Sequence, residues 1–286
     1  MGYRIELIGG DMYRTMKKDG KQEVEVTDGV KVRIGAGDVV LHVDEGILVA
    51  PKPGDHRVRI AVVVESPFIP LVRKVFDELK RNPQLYLQRF LRVFVYDPRV
   101  AQLHPHFVRY HTINAWIHQP ALHPKSKLVS MITSNKLYSE GHCRRVAFAH
   151  KNKDKLDLFG RGFQEIKSKD DGLRDYMFSV AIENFQWHGY HTEKILDCFL
   201  TGTVPIYYGD PLIGEVFNLK GIILLGPNTP SPTPELYRKM LPAVQDNYQR
   251  AQHRQYREWY LKRLVEDYLP HLPELKPVAA IATDIA

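Results

Sequence analysis

The chain has 286 residues, of which 44% are hydrophobic and 26% charged. That balance excludes a disordered tail, a collagen and a bundle of membrane spans. The net charge of +7 favours anionic partners, yet no block of five or more like charges is present, so charge alone assigns none.

At roughly 100–200 residues per domain, the length fits two compact domains or one large one. No run reaches the ~18 apolar residues of a membrane-spanning helix. The opening MGYRIELIGG lacks the basic flank and long apolar run of a signal peptide, so a cytosolic chain is expected. Cys143 and Cys198 form no Cys-x-x-Cys pair, and both are read as buried thiols.

Ile5 to Gly10 predicts a short strand. Val24, Val26, Val30, Val32 and Ile34 alternate with polar residues around Asp28-Gly29, a hairpin signal. Asp38 to Val43 and the segment RVRIAVVVESP are more continuous apolar runs, as strands buried on both faces require. PLVRKVFDELKR has helical spacing and LRVFVYD is strand-like. Short apolar strands alternating with helices point to parallel α/β layers. The Pro- and His-rich segment 119–125 is the expected boundary between residues 1–124 and residues 125–250, with 251–286 a C-terminal helix and tail.

The second half repeats the pattern. KLVSMIT predicts a strand, RRVAFAHKNK a helix, LDLFG a strand, DGLRDYMF a short helix and SVAIEN a strand. TEKILDCFLTG reads as a helix with Thr192 at its start and Gly202 as its stop. TVPIYY and GIILL follow as strands, then a charged helix from Pro234 to about Tyr268.

The densest chemistry lies between Tyr176 and Gly209. Thr192, Glu193 and Lys194 fall on the first turn of a helix, where unpaired N–H groups and the macrodipole favour an anion. Lys194 adds a full charge for a phosphate, and Glu193 is a good acceptor for paired hydroxyls such as those of a ribose. A plain capped helix start with a solvated Glu–Lys pair is the alternative.

At this point the sequence resembles family 10 glycosyltransferases, the α1,3-fucosyltransferase group. The resemblance rests on Tyr176-Met177-Phe178, on Ile182-Glu183-Asn184-Phe185, on Tyr190-His191-Thr192-Glu193-Lys194, and on Val204-Pro205 through Gly209. Ile182 and Phe185 depart from the family's usual phenylalanine and serine. Upstream, Arg145-Val146-Ala147-Phe148 resembles the segment whose arginine meets the donor diphosphate, with Arg144 and Arg161 as further candidates. Glu65-Ser66-Pro67 resembles the segment whose glutamate is the catalytic base. The resemblance spans roughly Arg57 to Leu225.

It implies an α/β chain of GT-B type, two Rossmann-like domains facing across a cleft. It also implies inverting transfer of L-fucose from GDP-fucose to a glycan acceptor. Glu65 would be the base. Arg145, Tyr176, Glu183, Asn184, Tyr190, Thr192, Glu193 and Lys194 would serve the nucleotide sugar. A UDP-pentose donor on the same fold is the alternative. Trp116 and His118 are read as acceptor contacts, since an aromatic face suits sugar C–H surfaces.

His104, His106, His111, His118 and His123 invite a metal reading, but no His-Glu-x-x-His or cysteine pair accompanies them. No Asp-x-Asp is present, so a metal-independent diphosphate site and no cofactor are expected. Basic and aromatic residues mix in KRNPQLYLQRFLRVF and NYQRAQHRQYREWYLKR. That mix makes a nucleic-acid binder the rival from another class, and makes the C-terminal helix a candidate for peripheral membrane contact.

Overall fold

The computed structural model describes residues 2–9, 23–27, 30–34, 37, 39–111 and 115–252. These fall into two compact units that divide between His111 and Thr112.

The first unit contains strands β1 (Gly2–Ile8), β2 (Glu23–Thr27), β3 (Val30–Ile34), β4 (Val39–Val43) and β5 (Val58–Val62). Helices α1 (Pro70–Arg81) and α2 (Pro83–Arg89) follow, then β6 (Arg92–Val95), the short α3 (Pro98–Ala101) and β7 (Phe107–Arg109). Its sheet has the order β2-β3-β1-β4-β5-β6-β7. Every pairing is parallel except that of β2 with β3, which is antiparallel, as the alternation around Asp28-Gly29 predicts. The buried runs are those read from sequence: β4 is buried at every position, and Ile60 to Val63 and Val93 to Tyr96 are almost wholly enclosed.

β5 stops at Val62 rather than running on to Pro67. Beyond Val63 the chain leaves the ladder and side chains take over. Asp44 Oδ1 accepts the N–H groups of Val64 (2.7 Å) and Glu65 (3.0 Å). The basic-aromatic segment around α2 is core rather than a stacking surface, because Tyr86 and Phe90 are buried and stack on each other at 6.4 Å.

The second unit contains β8 (Lys127–Ile132), α4 (Glu140–Asn152), β9 (Asp157–Phe159), β10 (Tyr176–Ile182), α5 (Glu193–Leu200), β11 (Val204–Tyr208), β12 (Ile223–Leu224) and α6 (Pro234–Gln252). The sheet order is β12-β11-β10-β8-β9, all parallel. Alternate residues of β10 point to opposite faces. Phe178, Val180 and Ile182 pack with Ala149 of α4 and Tyr237, Met240 and Val244 of α6. Ala181 packs on the other face with Ile195, Leu196, Phe199 and Leu200 of α5.

Several expectations change here. DGLRDYMF is not a helix: a 3-10 turn, Lys169–Gly172, closes on a Ser168 capping box, and Tyr176 already opens β10. Tyr176 and Phe178 are buried there against the neighbouring strands. The helix expected from Arg144 starts four residues earlier, because the Ser139 hydroxyl accepts the His142 N–H. That places Cys143 on an exposed face of α4, whereas Cys198 is buried as read.

The Pro-rich segment 119–125 belongs to the second unit. Ala121 N–H donates to Leu200 O at 3.1 Å, and Lys125 Nζ donates to Thr201 O at 2.7 Å. In α6, Tyr248 packs on the body and donates to Pro120 O at 3.2 Å. Tyr256, Trp259, Tyr260 and the expected membrane contact lie outside the described residues. Among the described residues no helix is long and apolar enough to cross a membrane.

Burial, helped by the neighbouring Glu65 and Glu45 charges, pushes the Asp44 carboxyl up to about 7. The folded chain therefore holds a proton that the unfolded chain, titrating near 4, has lost. This contribution to stability is complete below pH ~4 and disappears as pH rises through ~7. Asp44→Asn keeps an acceptor oxygen and removes the titration. The urea midpoint of the variant should fall less between pH 5 and 8 than that of the parent.

Candidate active site

The order β9-β8-β10-β11-β12 reverses direction between β8 and β10. Open α/β sheets bind ligands outside the carboxyl ends of strands at such a switch point. Two helices begin there: α4 after β8, and α5 after β10. Both present unpaired N–H groups and a positive dipole end.

Glu183 is the residue immediately after β10 and is completely buried. Its Oε1 accepts the Thr192 N–H at 2.8 Å, and its Oε2 accepts the Thr192 hydroxyl at 2.7 Å. Lys194 Nζ donates to the same Oε2 at 3.3 Å, to Thr192 Oγ1 at 2.9 Å and to Glu193 Oε1 at 3.3 Å. Thr192 precedes the first residue of α5, as read, but its hydroxyl serves Glu183 and does not cap the helix. Burial works against the Lys194 charge; the Glu193 and Glu183 carboxylates outweigh it and hold the ammonium above its ordinary value.

Arg145 reaches the same place from α4. Its Nη1 donates to Asn184 Oδ1 at 2.7 Å and to Ile182 O at 3.2 Å. Burial lowers its pKa, opposed by the charges of Glu183 and Glu193. Of the three arginine candidates, Arg145 is the buried one. Arg144 instead pairs with Glu140 and lies 4.6 Å over the Tyr208 ring, and Arg161 is exposed.

Glu193 is held between two cations, Lys194 and Lys169, each at 3.3 Å. Burial alone would raise its pKa, but those charges bring it down to about 2. Lys169 continues the chain to Asp197 Oδ2 at 2.9 Å and sits 4.7 Å from the centre of the Trp116 ring. The Trp116 side chain is exposed, and its backbone N–H donates to Asp197 Oδ1 at 2.7 Å. His118 is exposed nearby in the chain.

A second buried carboxylate pins the far side of the loop 183–192. Asp210 accepts the N–H groups of Gly189 (2.7 Å) and Leu212 (2.8 Å) and lies 3.3 Å from His191 Nδ1. Tyr190 is buried within that loop.

Arg145, Glu183, Asn184, Tyr190, Thr192, Glu193 and Lys194 thus gather at one end of β10. Tyr176 does not join them. It starts the strand, and seven residues at ~3.3 Å each put it roughly 20 Å away. Its hydroxyl donates to Asp157 Oδ2 at 2.6 Å. Glu65 follows β5 in the first unit, half-buried, with its carbonyl accepting the Tyr96 hydroxyl at 2.7 Å. Among the described residues no three His, Cys, Asp or Glu side chains are grouped to hold a metal ion. His104 and His106 face each other edge-on at 5.0 Å.

Two contributors were not read from sequence. His142, on the first turn of α4, lies with Nδ1 2.6 Å from Ser139 Oγ. Burial and the charges of Arg145, Lys136 and Lys194 hold its imidazole down at about 4. The Ser139 start signal could have placed it. Lys169 carries no local signal at all.

Residues 122–216 match the family model described as glycosyltransferase family 10 (fucosyltransferase) C-term. Over this segment the chain is similar to the C-terminal part of family 10 glycosyltransferases. A curated relative, the alpha-(1,3)-fucosyltransferase FucT of Helicobacter pylori, is 41% identical over 58 residues, 20% of this chain and 12% of that protein. The match thus spans about an eighth of that relative's length. A crystal structure of an α1,3-fucosyltransferase is similar at 16% identity with a TM-score of 0.49, covering 89% of this chain and 82% of the other. A crystal structure of α1,3-fucosyltransferase with GDP-fucose gives 16% identity and a TM-score of 0.45, covering 90% and 82%. The matched segment contains every residue gathered at the end of β10.

The second unit also depends on one close approach. A Cβ on Gly141, in the first turn of α4, would stand 2.1 Å from the Asn184 carbonyl oxygen. Gly141→Ala should push α4 off the end of β10 and cost about 1–3 kcal/mol. A fall in the urea midpoint checks this, and an unchanged midpoint contradicts it.

Proposed function

We propose that the chain is an inverting glycosyltransferase that moves L-fucose from GDP-fucose onto a glycan hydroxyl. One observation carries the reading. Arg145 and Lys194 converge with two helix starts on the carboxyl end of β10, inside the segment that matches the fucosyltransferase model.

In this reaction the acceptor oxygen attacks the anomeric carbon in line as the bond to the β-phosphate oxygen breaks. GDP leaves with the bonding pair. Arg145 and Lys194 meet the growing diphosphate charge with charge-assisted hydrogen bonds. The diphosphate takes the place that Glu193 occupies on Lys194, and Glu193 turns to the ribose hydroxyls. Asn184 and Tyr190 shape the donor pocket. Glu183 contacts no substrate; it holds Thr192 and Lys194 in register. Glu65 accepts the proton of the acceptor hydroxyl. With this much positive charge supplied by side chains, no divalent ion is obligatory, and transfer should persist in chelator.

The second reading keeps the fold and chemistry but takes a UDP-pentose. It is favoured by Ile182 and Phe185, which flank Glu183 and Asn184 and depart from the family's pattern.

Lys194→Ala should weaken GDP binding by about 2–3 kcal/mol, the scale of a charge-assisted contact. Calorimetry giving parental affinity would remove the phosphate role. Glu65→Gln should abolish transfer while leaving GDP affinity intact; substantial turnover in that variant excludes Glu65 as the base.

A further inference from the structure

Asp44 is used by none of the chemistry above, yet it combines two features that cost stability. It is the one described residue other than glycine with a left-handed backbone, φ 49°. Its carboxyl is also almost completely enclosed. Strain of this kind persists only where the surroundings enforce it, and it gathers at functional positions.

What the side chain does is specific. A single oxygen, Oδ1, takes both the Val64 N–H at 2.7 Å and the Glu65 N–H at 3.0 Å. Two more buried side chains hold the same stretch. The Tyr96 hydroxyl donates to Glu65 O at 2.7 Å, and the Tyr110 hydroxyl donates to Val63 O at 2.5 Å. Val63 N–H makes the last backbone bond, to Phe94 O at 2.9 Å.

Residues 63–65 are thus clamped from three strand ends. Asp44 follows β4, Tyr96 follows β6, and Tyr110 follows β7. The N–H and the C=O of Glu65 are both taken by buried side chains, which fixes the direction in which its Cα–Cβ bond leaves the backbone. The charged and titratable groups facing Asp44 are Glu65, Glu45 and the Tyr110 hydroxyl.

We infer that Asp44 is a positioning residue that aims the Glu65 carboxylate through its backbone. The inference rests on Glu65 being the base of the transfer proposed above. A residue that aims a base acts on the chemical step and leaves donor binding alone.

Two variants of the full chain separate this from a simple loop anchor. Asp44→Gly deletes the carboxylate and relieves the left-handed strain, since glycine adopts that conformation freely. Asp44→Asn keeps an acceptor oxygen and also tolerates the left-handed region. The readout is steady-state release of GDP from GDP-fucose with water as acceptor. Asp44→Gly should lower kcat about tenfold or more and leave KM within about twofold, while Asp44→Asn stays within about threefold of the parent kcat. Parental kcat in Asp44→Gly overturns the inference. So does an equal loss in both variants, or a loss confined to KM. Absence of turnover in the parent, or full turnover in Glu65→Gln, instead overturns the reading of Glu65 and takes this inference with it.

Discussion

A buried carboxylate organises the second unit. Glu183 has no exposure to solvent, and so polar a side chain is tolerated there only because each oxygen is answered by a donor. Those donors are the N–H and hydroxyl of Thr192 and the ammonium of Lys194. They fix where α5 begins and where Lys194 points. The neighbouring Asn184 meets Arg145 from α4. One strand end therefore sets the position of both cations. Removing one member of such a buried set leaves the remaining charge uncompensated, which typically costs 3–5 kcal/mol.

The charges around it form a graded chain. Lys194 lies between Glu183 and Glu193, Lys169 between Glu193 and Asp197, and Lys169 in turn covers Trp116. Each acid is held by a cation, and each cation is shared by two acids. Around the cations, burial and the charges of Arg145, Lys136 and Lys194 hold the His142 imidazole down at about 4.

Much of this was legible in the sequence because the signals were local. Continuous apolar runs such as Val39–Val43 and Val204–Tyr208 are buried parallel strands, and the helix from Ile195 to Leu200, apolar except for Asp197, is enclosed. The motif around Thr192 to Lys194 marks the site because an α5 start after β10 is a local event. What was not legible depended on tertiary placement. Tyr176 belongs to the family motif but opens β10 instead of closing it, so its motif neighbours are distant in space. Tyr176 and Phe178 read as helix residues until the flanking strands β8 and β11 enclose them. Cys143 is exposed because Ser139 starts α4 early and turns the residue outward. Lys169 and Asp44 act on partners more than twenty residues away, and no sequence pattern announces such contacts.

The end of β10 is proposed as a nucleoside diphosphate site. Titration calorimetry of the chain with GDP, UDP, CDP, ADP and a short oligonucleotide tests it most directly. Selective GDP binding is the predicted result. Selective UDP binding would keep the site and change the donor. Oligonucleotide binding with no response to any of the mononucleotides would contradict the account.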